Sequence, residues 1–114
     1  MMIQNELWLN DIDAEMVRAD LAKKMGHDGR LRTSARRIAG IALHEYSLTG
    51  KSGLSPADDV ITMLRRCAVS SIFPSDVRSA AERLQTRVSH EHASPSLDPI
   101  GDAMVIVSFV KKHS

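Results

Sequence analysis

Pro74 dictates how the middle of this chain can fold. Its ring removes a backbone N–H and clashes with the preceding helical turn, so no single helix can run through it. On either side apolar residues recur three and four apart, which is the helical period. Val60, Ile61, Leu64, Cys67, Ala68 and Ile72 precede the break, and Val77, Ala80, Ala81, Leu84 and Val88 follow it. Ser55 reads as the N-cap of the earlier helix, with Pro56 in its first position and Asp58 and Asp59 at its positive end. Ser75 and Asp76 restart the chain as the next helix, which runs toward His92.

The same punctuation divides the rest of the sequence. A first helix is expected from Asn10 or Asp11 to Gly26, with Ala14, Val17, Leu21 and Met25 as its buried stripe. A loop from Gly26 to Thr33 then leads to a second helix, capped by Thr33 or Ser34 and closing near Leu48 and Gly50. Ala35, Ile38, Ala39, Ala42 and Tyr46, flanked by Ile41 and Leu43, give this helix an apolar face wide enough for more than one neighbour. Near the end, Asp98 and Pro99 read as a cap and first turn. The β-branched run at 103–112 favours a strand by propensity, but a strand needs a partner, so helix is the preferred reading. The expected fold is all-α: one compact domain over 1–114, a bundle of four to five helices. If both ends were extended, a short two-stranded β-ribbon would join the termini.

At 43% apolar and 25% charged residues, the chain can build an ordinary core. Trp8, Tyr46, Phe73 and Phe109 are its whole aromatic complement, so aliphatic side chains and methionine must fill that core. No segment is long and apolar enough to span a bilayer and no secretory signal is evident, so a cytoplasmic protein without membrane contact is expected. Cys67 is the sole cysteine and sits on an apolar stripe, which makes it a core residue and excludes an intramolecular disulfide. The "HEH" at 90–92 lacks a third ligand, and the "GKS" at 50–52 lacks the glycine and strand of a phosphate loop. Neither a metal nor a cofactor is expected.

Net charge is only +1, but it is distributed in blocks: −4 over residues 1–22, then +5 over 23–37. The basic block holds Lys23, Lys24, Arg30, Arg32, Arg36 and Arg37. With the second helix starting at Ser34, its first turn would join unpaired N–H groups to four guanidinium groups, an arrangement that suits phosphate oxygens. Arg83 and Arg87 on the fourth helix would extend the surface. The competing reading is that Glu15 or Asp20 folds back onto these arginines and neutralises them. The acidic and basic blocks would also let copies associate, so other subunits or self-association are expected alongside nucleic acid.

Three resemblances bear on function. Residues 21–40, "LAKKMGHDGRLRTSARRIAG", resemble a helix-turn-helix, with Ala22 and Gly26 at its packing and turn positions and Ala35 and Ile38 at later apolar ones. Arg37 and His44, with Gly40 between them, resemble the R-x(4 to 6)-H signature of HEPN ribonucleases, which implies a metal-independent RNA-cleaving pair. In general layout the chain is similar to the small helical subunits of CRISPR effector complexes. The leading expectation is a non-enzymatic accessory subunit that grips a nucleic-acid backbone. The alternatives are a protein-interaction, adaptor or inhibitor module, and a HEPN-like ribonuclease.

Overall fold

The structure is a computed structural model that describes residues 7–86 and 97–113. Five helices make it up: α1 (Leu7–Lys24), α2 (Asp28–Ser47), α3 (Val60–Val69), α4 (Ser75–Gln85) and α5 (Pro99–His113). No strand occurs among the described residues. The terminal ribbon is therefore not formed, because the β-branched run that would have supplied one strand lies inside α5. There Ala103, Ile106, Val107 and Val110 are buried in a row that only a helical repeat can produce.

The wide face of α2 makes it the central element. It packs against α1, α3 and α5 and touches α4, and Ala35, Ile38, Ala39, Ala42 and Leu43 are completely buried. Gly40 serves the α2–α3 approach: a Cβ there would lie 2.5 Å from Val60 Cγ2 and 3.2 Å from Cγ1. Gly40→Ala is expected to destabilise the fold by about 1–2 kcal/mol, because overpacking outweighs the gain in helix propensity. Chemical denaturation should register that loss and its recovery in the Gly40→Ala/Val60→Ala pair.

Several boundaries differ from the sequence-based expectation. The turn after α1 is tight: Gly26 adopts φ +72°, and His27 N–H bonds to Ala22 O at 2.9 Å. So α2 begins at Asp28, and the expected loop from Gly26 to Thr33 is absent. Thr33 does not cap; it sits inside the helix, its hydroxyl donating to Gly29 O at 3.0 Å. The start of α3 also moves. Ser55–Asp58 closes a turn, and the N-cap is Asp59, whose carboxylate accepts from Thr62 N–H at 2.8 Å. That bond holds the Asp59 carboxyl below its ordinary range. At the start of α5, Asp98 accepts from Gly101 N–H at 3.0 Å, as the cap reading requires.

Three of the four aromatic residues meet where α2, the α3–α4 connection and α5 converge. Tyr46 meets Phe73 and Phe109 edge-on at ring-centre distances of 5.8 and 5.4 Å, and Phe73 lies 5.4 Å from Phe109. Phe73 is 1% exposed, whereas its neighbour Ile72, expected in the core, is 49% exposed. The reason is that α3 ends at Val69 and the chain turns before Pro74, so the helical register that would have buried Ile72 is lost.

Candidate interaction surface

The helices α1 and α2 form an antiparallel hairpin. Leu7 and Trp8 share a hollow with Glu45 and Leu48, and Met25 shares another with Arg30, so the helices run alongside each other for their full length. A helix-turn-helix instead sets its two helices at a wide angle. Here the expected turn glycine, Gly26, closes a side-by-side pair.

The face that α1 turns to α2 is not the expected one. Ile12, Glu15, Ala19 and Ala22 are buried, while Ala14, Val17, Leu21 and Met25 face outward. Val17 is 71% exposed, Leu21 58% and Met25 57%, and Leu7 at the start of the helix is 65% exposed. Other exposed large apolar residues, such as Val69 and Ile72, lie on other elements. Four such side chains along one side of one helix form an apolar surface that a solvated helix does not need.

Glu15 explains part of this choice. Its Oε2 accepts from Arg18 Nη1 at 2.5 Å and lies 3.8 Å from Arg37 Nη1. Its Oε1 is buried with no hydrogen-bond partner among the described residues. Two hollows border this charge cluster and share Arg37. One, of about 340 Å³, has Leu21 and Met25 in its floor and Arg18, His27, Arg30 and Arg37 around it. The second, of about 530 Å³, is lined by Leu7, Trp8, Ile41, Leu48 and Val60, with Glu15, Arg37 and His44 at its polar side.

No known family, curated protein or solved structure matches this chain. The assignment of function therefore rests on its own residues.

The residues expected to hold phosphate do not converge on one helix end. Arg30 stands in the first turn of α2, and Arg32, Arg36 and Arg37 lie further along it, because the helix begins at Asp28, six residues upstream of the expected Ser34 cap. Arg36 turns inward and donates to Leu84 O at 2.7 Å and Thr86 O at 3.2 Å, tying α2 to the end of α4. Arg37 is shared with Glu15, the neutralising partner that the sequence had suggested as an alternative. Arg83 forms a two-pronged pair with Asp102, at 3.0 and 2.7 Å, which raises its pKa further. Lys24 pairs with Asp20 at 3.1 Å, and Lys23 is exposed beside it. Arg30 is exposed and Arg32 partly so, and neither makes an ion pair among the described residues. Arg87, like Val88, His90 and His92, lies outside the described residues.

Arg37 and His44 do border the same hollow. Among the described residues no group of three metal-ligating side chains converges, and no helix is long and apolar enough to cross a membrane. Cys67 is buried, as expected, and burial pushes its thiol up to about 12. The sequence reading named Glu15 as an alternative partner of the arginines but not as a buried residue, and it missed Val17, Leu21 and Met25 as surface. The visible signal was that α1 carries two competing apolar rows.

Proposed function

We propose that the protein is a non-enzymatic protein-interaction module that binds another polypeptide through the outer side of the α1–α2 hairpin. The observation that carries this reading is the exposed apolar row Val17, Leu21 and Met25 beside the rim of Arg18, Arg30 and Arg37. Such a surface, apolar at its centre and charged at its edge, is the usual anatomy of a protein interface. The accessory-subunit reading, in which the chain contacts a nucleic-acid backbone within a nucleoprotein assembly, keeps Lys23, Lys24, Arg30 and Arg32 as its support. It loses force because Arg36 and Arg37, on which it leaned most, already have partners within the chain.

A photo-crosslinking side chain at Leu21 is expected to capture a polypeptide in cells, while the same group at the exposed Ser79 on α4 captures none. The Val17→Ser/Leu21→Ser variant should fold normally and lose that capture. Binding to RNA or DNA that is tight at low salt, falls steeply with added salt and disappears in Arg30→Glu/Arg32→Glu, with the fold retained, would overturn the reading in favour of a nucleic-acid subunit.

A further inference from the structure

We infer that the segment of the partner that docks here is acidic: an apolar side chain enters the smaller hollow, flanked by aspartate or glutamate. This rests on the interaction reading and gives the chemistry of its partner. Helical spacing builds the site. Arg18, Leu21 and Met25 follow one another at three and four residues along α1, and Arg30, Ser34 and Arg37 at four and three along α2, so each set shares one side of its helix. The tight turn through Gly26 and His27 brings the two sets together around a hollow of about 340 Å³, with Leu21 and Met25 as its floor.

Charge selects the occupant. Among the described residues no acidic side chain lines this hollow, and its three guanidinium groups have one carboxylate between them, that of Glu15, shared by Arg18 and Arg37. Between residues 18 and 37 the other carboxylates are Asp20 and Asp28. Asp20 is paired with Lys24, and Asp28 stands two residues from Arg30, a spacing that does not bring side chains together on a helix. Arg30 makes neither an ion pair nor a hydrogen bond through its side chain among the described residues. Ser34 is a second observation. It is 5% exposed and borders the hollow, yet its hydroxyl makes no hydrogen bond among the described residues. A buried hydroxyl is ordinarily paired, and here a carboxylate or carbonyl oxygen of the occupant supplies the partner. The floor decides between kinds of anion. A phosphate backbone gains nothing from Leu21 and Met25, which are 58% and 57% exposed, whereas a peptide covers them with an apolar side chain of its own.

Panning a library of random dodecapeptides against the whole chain is expected to enrich sequences in which leucine, isoleucine or phenylalanine stands beside aspartate or glutamate. Affinity for the most enriched peptide should fall at least about tenfold in Arg30→Glu. The same peptide with its acids changed to lysine should bind that variant better than it binds the original chain. Because Arg30 is exposed, an unchanged helical signal reports that the variant is folded. Ser34→Ala should not lower the unfolding midpoint, since the hydroxyl bonds nothing within the described chain, and should still weaken the peptide about threefold or more. Enrichment of uncharged or basic peptides, no enrichment at all, or equal binding to a folded Arg30→Glu chain would each overturn the acidic occupant. Duplex RNA bound more tightly than any peptide and lost in Arg30→Glu would overturn it too, in favour of a nucleic acid. If the Leu21 crosslinker captured a polypeptide through a stretch without carboxylates, the interaction reading would survive and this one would not.

Discussion

Replacing Phe73 with alanine will remove about 3–5 kcal/mol of stability, the usual cost of emptying a buried aromatic site. The ring is 1% exposed and fills the junction where Tyr46 of α2 and Phe109 of α5 meet the α3–α4 connection. These contacts come from separate segments, so the cavity cannot close by a small local shift. Against a total of roughly 5–15 kcal/mol for a domain, this is enough to leave a substantial unfolded population in a marginal protein. Thermal unfolding followed by circular dichroism should show a fall in Tm of order 15 °C, at roughly 4 °C per kcal/mol for a chain of this size. Ile72→Ala, one residue away, should change stability by less than about 0.5 kcal/mol, because Ile72 is half exposed and lies beside a turn. Equal losses in the two variants would mean that Phe73 does not hold the junction.

Arg83→Ala should cost about 2–3 kcal/mol, more than Asp102→Ala at the other end of the same pair. Asp102 is 8% exposed and sits in the first turn of α5, so without the guanidinium its carboxylate stays in a poorly hydrated site. Arg83 keeps 41% of its side chain in contact with solvent, so once Asp102 is gone it can hydrate itself. The pair joins α4 to α5, and urea denaturation of the two single variants and the double variant would measure both the asymmetry and the coupling. The order of the two single effects is the decisive observation. If Asp102→Ala were the more damaging, burial of the carboxylate would not be what makes the pair matter.

The interface proposed on α1 connects stability to function differently. Substitutions at Val17 or Leu21 should leave the monomer's unfolding almost unchanged, because these side chains bury little within one chain. Their effects should emerge in association. A binding surface can be varied without loss of fold only when its anchors lie outside the core, and the exposed Val17 and Leu21 meet that condition.

Much of the architecture was legible in the sequence. The helical period and the break at Pro74 were enough to place the start of α4, which ends at Gln85 rather than running toward His92, and its buried row of Val77, Ala80, Ala81 and Leu84 is the expected one among the described residues. The broad apolar face of α2 correctly implied several neighbours. Capping chemistry at Asp98 was readable because the signal is local: one side chain bonds an amide three residues on. The same logic failed at Ser55, where an equally good local signal closes a turn and Asp59 takes the helix start. Two capping residues competed within five positions, and nothing in the short stretch chooses between them.

The side of α1 that is buried was decided by the tertiary structure alone. Judged by hydrophobicity, Ala14, Val17, Leu21 and Met25 make the better core row. The fold nevertheless buries Ile12, Glu15, Ala19 and Ala22, and in α2, the helix on which α1 packs, the small residues Ser34, Ala35 and Ala39 are buried as well. Close approach of two backbones rewards small side chains over large ones, and Glu15 gains Arg37 only in that register. Periodicity within a single helix fixes which residues share a side. Which side faces inward depends on the shape and charge of a neighbour that no local pattern specifies, and here that choice set Glu15 beside Arg37 and left an apolar row in water.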